Sequence, residues 1–277
     1  MKKFLINICA ICTVSATILS CQDLDRPELG DYPLDNAVLP AGSLRFYVPF
    51  DKEDSRLRYQ FSEQLSGYPS FTPDKSIQSD AGISGKSYKG SSSAFLKYLT
   101  PNDFAAKASS FTISYWMKHG ATTSGAEHIF SIPSSNGHWT KGTMMLMNEA
   151  TSNGIAVKMI LVDKNNADTW LTWEGATNAV PVSGFFDTQW HHCVFVYNAN
   201  NSSLTFYKDG VQVGTPKIWG THGGVNMDAT KVTGFNLGGQ SGTDSWMKPW
   251  AGNLDQFRMY DSALSSAEIN DLFVNKK

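Results

Sequence analysis

The chain has 277 residues, of which 17% are charged and 12% aromatic, and its 23 basic and 25 acidic residues give a net charge of −2. No basic stripe runs along it, which argues against a nucleic-acid partner. The length suits a single large core, since β-sandwiches often run to about 200–250 residues as one domain.

The amino terminus predicts an export signal. Met1, Lys2 and Lys3 precede a mostly apolar run from 4 to 19, which is typical of a secretory leader and too short for a transmembrane helix. The run ends in Ile-Leu-Ser-Cys21, which resembles the lipobox of bacterial lipoproteins. This resemblance implies a signal peptide over residues 1–20, lipidation of Cys21 and membrane attachment through the lipid alone. A buried structural role for Cys21 is the alternative.

Residues 21–43 predict an acidic, Pro-containing tether. This stretch is poor in large apolar side chains and holds Arg26 as its one basic residue up to Pro40, as expected of an extended linker. Acidic residues after a lipidated cysteine also resemble the signals that send some Gram-negative lipoproteins to the outer face. We therefore expect an outer-membrane, cell-surface lipoprotein, although a solvated linker explains the same charges. The acidic residues are Asp23, Asp25, Glu28, Asp31 and Asp35.

Residues 44–277 predict one all-β domain. Short β-branched and aromatic runs alternate with Gly, Ser, Asn and Asp, a pattern that favours a sandwich or barrel. Near the end, Ser265 and Glu268 have the spacing of a capping box, which predicts a short helix over 268–274. The predicted strands are 44–50, 95–99, 111–118, 128–132, 143–147, 155–163, 169–173, 190–197, 203–208, 211–214, 232–237 and 253–260.

The strand at 190–197 contains His191, His192 and Cys193 side by side, a combination that metal sites also use. Side chains alternate across a strand, so the two histidines are predicted to point in opposite directions. Neither a zinc-finger spacing nor an HExxH helix occurs here. Both faces of this strand are largely apolar, which predicts an interior strand between packed layers.

Four later segments follow one another in a distinctive order: FTISYWMK at 111–118, WHHCV at 190–194, YKDGV at 207–211 and GNLDQFRMYDSALS at 252–265. They resemble motifs of the laminin G-like, concanavalin A-like lectin/glucanase family, and the segments at 48–51 and 82–87 fit its opening strands. The resemblance covers roughly 44–274. It implies a jelly-roll sandwich of two antiparallel sheets with a short carboxy-terminal helix.

The resemblance leaves three functions open. Glucanases of this superfamily carry an ExDxxE strand, whose carboxylates act as acid and nucleophile, and this sequence lacks it. An Asp pair brought together only by folding would still permit a glycosidase. The main hypothesis is a lectin-like protein that binds carbohydrate without catalysis, with polysaccharide capture as its purpose. The alternative from another class is a structural or protein-interaction adhesin module.

Trp139, Trp219 and Trp246 lie among loop-forming residues and are the candidate ligand contacts, because an exposed indole can stack on a sugar ring. For each of them, capping an end of the sandwich is the alternative. The tryptophans inside the family motifs, at 116, 190 and 250, are predicted to fill the space between the sheets. Trp170 and Trp173 are predicted to point to opposite faces of one strand, so at most one belongs to a surface patch.

Calcium is a further implication of the resemblance, since many jelly rolls of this family bind it between the first and last strands. Asp255 stands where the family pattern places its acid, Asp51 follows the opening strand, and Gly90 would offer a carbonyl from the intervening turn. Together they would supply hard oxygen ligands of the kind that calcium requires. The family's usual acidic turn is replaced by Lys-Gly-Ser-Ser-Ser at 89–93, which predicts weak or absent binding. Alternatively, Asp255 accepts backbone amides at a strand end.

The lipid-anchor hypothesis predicts the outcome of removing Cys21. We expect Cys21→Ala, exported behind an ordinary leader that is cleaved before residue 21, to move from the membrane to the soluble fraction, because the lipid chains supply nearly all the membrane affinity. Fractionation followed by immunoblotting measures this, with the parent chain as control. Continued membrane association of the cleaved variant would contradict the hypothesis.

Overall fold

The computed structural model describes residues 42–50, 77–91, 93–98, 103–152, 154–173, 184–240, 242 and 244–276. Outside these residues lie the predicted signal peptide, Cys21, most of the predicted tether and Asp51. None of the described helices has the length and apolar character needed to cross a membrane.

The described residues form sixteen strands and two α-helices. In chain order the elements are β1 (Leu44–Val48), β2 (Gln78–Ala81), β3 (Lys86–Lys89), β4 (Leu96–Tyr98), α1 (Asp103–Lys107), β5 (Phe111–Lys118), β6 (Ala126–Pro133), β7 (Gly142–Thr151), β8 (Gly154–Val162), β9 (Asp168–Trp173), β10 (Trp190–Asn198), β11 (Ser203–Lys208), β12 (Val211–Gln212), β13 (Lys217–Ile218), β14 (Phe235–Leu237), β15 (Met247–Pro249), β16 (Asn253–Tyr260) and α2 (Ser266–Asn275).

The strands assemble into two sheets. The first sheet has nine strands in the order β12-β11-β10-β5-β16-β3-β2, with β1 added to β16 and β13 added to β11. The second sheet has seven, in the order β4-β14-β6-β7-β8-β9, with β15 added to β6. Every described pairing is antiparallel except the parallel pair β15–β6. This is the jelly-roll sandwich that the sequence predicts.

The main core lies between the two sheets. Alternate residues of β5 and β10 meet alternate residues of β6, β7, β8 and β9 in one hydrophobic cluster. In the middle of it, Phe195 stacks on Phe206 with ring centroids 4.5 Å apart, and Trp173 meets Phe195 edge-on at 5.8 Å. Cys193 is buried here, and burial raises the pKa of its thiol well above the ordinary value. Each fully buried apolar side chain contributes about 1.5–3 kcal/mol.

The other face of β10 is covered by helix α2. Val194 and Val196 form a second apolar cluster with Ile269 of the helix. His192 packs against two rings, with its centroid 5.0 Å from Trp116 and 6.2 Å from Phe273. Strand β10 is therefore buried on both faces, as the sequence predicts. The predicted helix is also confirmed, with both hydrogen bonds of the capping box at its start.

The two histidines of β10 make different contacts. His192 turns toward α2, and its Nε2 is 2.9 Å from the Ser114 hydroxyl. His191 turns the other way and lies between two carboxylates, with Nδ1 2.8 Å from Asp209 and Nε2 3.0 Å from Asp187. It joins the strand to the turn after β11 and to the segment before β10.

The motif tryptophans divide among three environments, so the sequence prediction for them was correct only for Trp250. That side chain is fully buried in the main core. Trp116 is buried on the opposite face of its sheet, where its ring stacks on Phe273. Trp190 is half-buried, with the ammonium of Lys118 5.5 Å from its ring centroid. Strand alternation explains this result, because positions 116 and 190 share the face that α2 covers in part.

Burial of His192 predicts a pH-dependent stability. Loss of hydration and the nearby Arg258 lower the pKa of His192 to about 3, whereas the unfolded chain binds this proton near pH ~6.5. The free energy of unfolding is therefore fully retained above pH ~6.5 and falls as the pH is lowered toward the folded pKa. Between pH 7 and pH 5, His192 should account for a loss of about 2 kcal/mol.

Urea unfolding of the parent and of His192→Gln at both pH values measures this contribution. The variant should lose about 2 kcal/mol less than the parent between pH 7 and pH 5. His128, whose pKa burial lowers to about 4, titrates in both proteins and cancels from the comparison. Equal losses in the two proteins would show that His192 does not titrate in this way.

Candidate functional site

The outer face of the second sheet holds the candidate site. A row of residues that pair with one another across neighbouring strands crosses this face. Each residue of the row is next in sequence to a residue of the main core, so its side chain points away from that core. Five strand spacings of about 4.8 Å make the row about 24 Å long. On the first sheet, helix α2 covers part of the corresponding face. The row consists of Lys97, Asn236, Ser131, Met145, Ile160 and Trp170.

Two exposed tryptophans stand at the β9 end of this row. Trp170 belongs to β9, and Trp139 belongs to the segment 134–141 between β6 and β7, here called the 134–141 loop. Their rings are nearly parallel, 10° apart with centroids separated by 6.0 Å. Trp139 is 55% exposed and Trp170 is 37% exposed. The two indoles thus form an aromatic surface open to solvent.

Hydrogen bonds hold the loop residues on either side of Trp139. The Asn136 carbonyl accepts a bond of 2.9 Å from the Asn166 side chain, which ties the loop to the turn before β9. His138 bonds Thr140 through Nδ1 at 2.7 Å, and its Nε2 is 3.5 Å from the Asp168 carboxylate. The loop that carries Trp139 is therefore held by contacts within the protein, and such preorganisation lowers the entropic cost of binding.

A charged pair borders the same aromatic surface. Lys158, on the strand next to β9, places its ammonium 5.8 Å from the Trp170 ring centroid. The same ammonium forms an ion pair with Glu149, 2.5 Å away. These groups supply hydrogen-bond donors and acceptors at the edge of the rings.

A groove lies at the opposite end of the row, on the other side of the 134–141 loop. It has a volume of about 520 Å³. Lys97 and Asn236 line it from the sheet, and Ser134, His138 and Lys141 line it from the loop. His138 thus borders the groove while its neighbour Trp139 belongs to the aromatic surface.

The other two tryptophans predicted as ligand contacts lie in packed environments. Trp219 is half-buried against the main core, and its ring stacks on His222 with centroids 3.5 Å apart. Trp246 is half-buried against a small apolar cluster that includes Met145 and Ile160. Of the three, Trp139 is the most exposed. Its partner Trp170 was left undecided by the sequence, because strand alternation alone does not tell which of positions 170 and 173 faces the core.

The residues predicted to bind calcium are partly described. Asp255 is fully buried and accepts backbone hydrogen bonds from Ile83 at 2.8 Å and from Gln256 at 2.7 Å. The Gly90 amide donates to the Gly252 carbonyl at 2.9 Å. Asp51 lies outside the described residues. Within the described part of the chain, no group of three or more His, Cys, Asp or Glu could hold a metal ion. Calcium binding stays a prediction.

Asp255 also joins two parts of the first sheet. Its carboxylate holds the turn between β2 and β3 against β16. Gly82 makes this approach possible, since a Cβ there would lie 2.4 Å from the Asp255 Oδ2 atom. Acceptance of hydrogen bonds from backbone amides is the role predicted for Asp255 as the alternative to calcium binding.

Comparison with family models matches residues 93–270, more than half of the chain, to Laminin_G_3 of the concanavalin A-like lectin/glucanases superfamily. Among curated proteins, no sequence matches this chain.

Several solved structures share the fold. The binding domain of botulinum neurotoxin DC in complex with rat synaptotagmin II has a TM-score of 0.59 and 13% identity, covering 85% of this chain and 52% of that one. The binding domain of Paraclostridial Mosquitocidal Protein 1 has a TM-score of 0.58 and 13% identity, covering 84% and 52%. This chain therefore spans about half the length of these two structures.

A third solved structure matches over nearly its whole length. Domain 4 of AbnA, a GH43 extracellular arabinanase from Geobacillus stearothermophilus, in complex with arabinotriose, has a TM-score of 0.55 and 17% identity, covering 84% of this chain and 99% of that domain. At these identities the three likenesses show the fold alone.

The contacts of Asp255 predict a structural role that needs no metal. In EDTA, Asp255→Ala should lower the free energy of unfolding by about 2–4 kcal/mol, because the Ile83 and Gln256 amides lose a charged acceptor. Urea unfolding measures the loss. If calcium also binds, the melting temperature of the parent will rise with calcium concentration, and that of the variant will not.

The matched control is Asp80→Ala, which removes an exposed carboxylate that accepts from the Ala81 amide. A loss for Asp255→Ala as small as that of the control would contradict the structural role.

Proposed function

Because the chain belongs to the concanavalin A-like lectin/glucanases superfamily, we propose that it binds carbohydrate without cleaving it, through the outer face of the second sheet. The parallel, solvent-exposed rings of Trp139 and Trp170 are the observation that carries this proposal. Anchored to the outer membrane by lipid on Cys21 and raised by the tether, such a domain would capture polysaccharide at the cell surface.

Indole rings suit a sugar ligand for physical reasons. The faces of a pyranose ring carry C–H groups that pack on an aromatic surface, and this contact excludes water from both. Polar side chains around the rings then bond the hydroxyl groups. Here Asp168, Lys158 and Glu149 lie around the two rings. Exposing two large apolar rings to water is unfavourable in free energy. A binding role explains why the chain keeps them on its surface.

A known carbohydrate complex of the same fold supports the proposal. The arabinanase domain, similar over almost its full length, was solved with arabinotriose. The similarity is one of fold, so it does not indicate which sugar this chain would take.

The proposal predicts separate effects of substitution on binding and on stability. In the soluble Cys21→Ala form, Trp139→Ala and Trp170→Ala should each weaken binding to a retained polysaccharide at least tenfold, because a central aromatic contact is lost. Their melting temperatures should change little, since both side chains are exposed. A glycan array identifies ligands, and polysaccharide-retardation gels measure the weakening.

Trp190→Ala is the matched control, since it removes a half-buried indole from the first sheet. If both surface variants bind as the parent does, the aromatic surface is not the binding site. Lack of retention on every plant, host and microbial glycan would favour the adhesin alternative. Shortening of a retained polymer would favour the glycosidase.

A further inference from the structure

The groove beside the 134–141 loop carries positive charge. Two lysines are among its lining residues, Lys97 from β4 and Lys141 from the loop, and none of its described lining residues is acidic. Neither lysine forms an ion pair with a carboxylate of the described residues. Lys158, near the other end of the same face, differs because Glu149 neutralises it. The groove is therefore a local positive site in a chain whose net charge is −2.

Both lysines extend from fixed backbone. Lys97 lies in β4, paired with β14 opposite Asn236, and its ammonium is 4.7 Å from the centroid of the Phe95 ring. Lys141 ends the 134–141 loop, where its amide donates to the His138 carbonyl at 2.9 Å. The two lysines thus belong to separate walls of the groove, one to the sheet and one to the loop.

Buried hydrogen bonds fix the floor of the groove. Asn236 is 3% exposed and donates through Nδ2 to the Ser131 hydroxyl at 3.0 Å. Ser131 in turn donates to the Gly239 carbonyl at 3.0 Å. Beside this floor, the Ser134 hydroxyl donates to the Lys231 carbonyl at 3.3 Å. These contacts keep the polar floor and wall in one arrangement.

From these features we infer that the groove binds an anionic saccharide unit, with Lys97 and Lys141 as its charged contacts. A volume of about 520 Å³ is within the ordinary range for small-molecule sites. Two cations in a concave site attract an anion from solution, and they would lie near one bound carboxylate or sulfate group. A neutral sugar would offer neither lysine a group of opposite charge.

This inference rests on the proposed function, because the groove and the aromatic surface share one loop. His138 lines the groove, and its ring centroid is 5.8 Å from that of Trp139. An oligosaccharide could therefore lie across the loop, with one unit against the tryptophans and an acidic unit between the lysines. The aromatic surface would supply affinity for any sugar, and the groove would select acidic polymers.

Matched pairs of polymers test the inference with the full mature chain in its soluble Cys21→Ala form. One arm compares polygalacturonate and alginate with their carboxyl-reduced, neutral counterparts. The other arm compares dextran sulfate with dextran, so that carboxylate and sulfate ligands are distinguished. Dissociation constants come from affinity gels at about 0.15 M salt, where charges separated by more than about 8 Å are largely screened.

The parent should bind at least one anionic polymer about tenfold more tightly than its neutral counterpart. Lys97→Gln/Lys141→Gln should remove this difference, since two partly exposed ion pairs are together worth about tenfold in affinity. Lys107→Gln/Lys276→Gln makes the same change in net charge at exposed positions outside the groove. It should leave the preference intact.

Three outcomes would overturn the inference. They are equal affinity for the anionic and neutral members of every pair, no retention by any anionic polymer, or equal weakening by both lysine variants, which would indicate a general charge effect. The proposed function is tested separately, because Trp139→Ala should weaken binding to neutral glycans as well. If neutral glycans bind through Trp139 and the anionic preference is absent, the groove inference fails and the proposed function stands.

Discussion

The burial of strand β10 on both faces is the constraint on which the rest of this structure depends. One face carries Cys193, Phe195 and Tyr197 into the core between the sheets. The other presents His192, Val194 and Val196 to helix α2. Because hydrophobic stabilisation is roughly proportional to the apolar area removed from water, a strand with two apolar faces requires cover on both sides. The second sheet supplies one cover and the carboxy-terminal helix supplies the other.

This arrangement makes the two sheets unequal. Helix α2 occupies part of the outer face of the first sheet, so that face contributes to stability. The outer face of the second sheet carries instead the 134–141 loop, with the Trp139–Trp170 surface at one end and the lysine groove at the other. Rigid sheets that position variable loops are a common way to build binding sites. Here the loop is tied to the turn before β9 at Asn136 and to Asp168 of β9 at His138.

Polar side chains in the interior connect segments that are distant in sequence. Asp255 joins the turn between β2 and β3 to β16, and His191 joins β10 to two carboxylates. Each of these buried groups has partners, as expected when burial without a hydrogen bond is costly. The neighbouring histidines of β10 have different partners, because His191 binds two carboxylates and His192 bonds the Ser114 hydroxyl and packs against aromatic rings, so the two do not share a site.

The sequence by itself determined the fold class, most strand positions, the capped helix near the end and the double burial of β10, because these follow from local alternation and capping. The helix, predicted over 268–274, spans 266–275 in the structure. The motifs at 111–118, 190–211 and 252–265 identified the family. The short elements α1, β13 and β15 gave no such signal, since two to five residues show no period. Only the tertiary structure decided that Trp170 joins Trp139 while Trp219 and Trp246 pack inward, and that Lys97 and Lys141 line one groove. Those residues are far apart in the chain, and strand pairing and loop placement, which no local pattern encodes, bring them together.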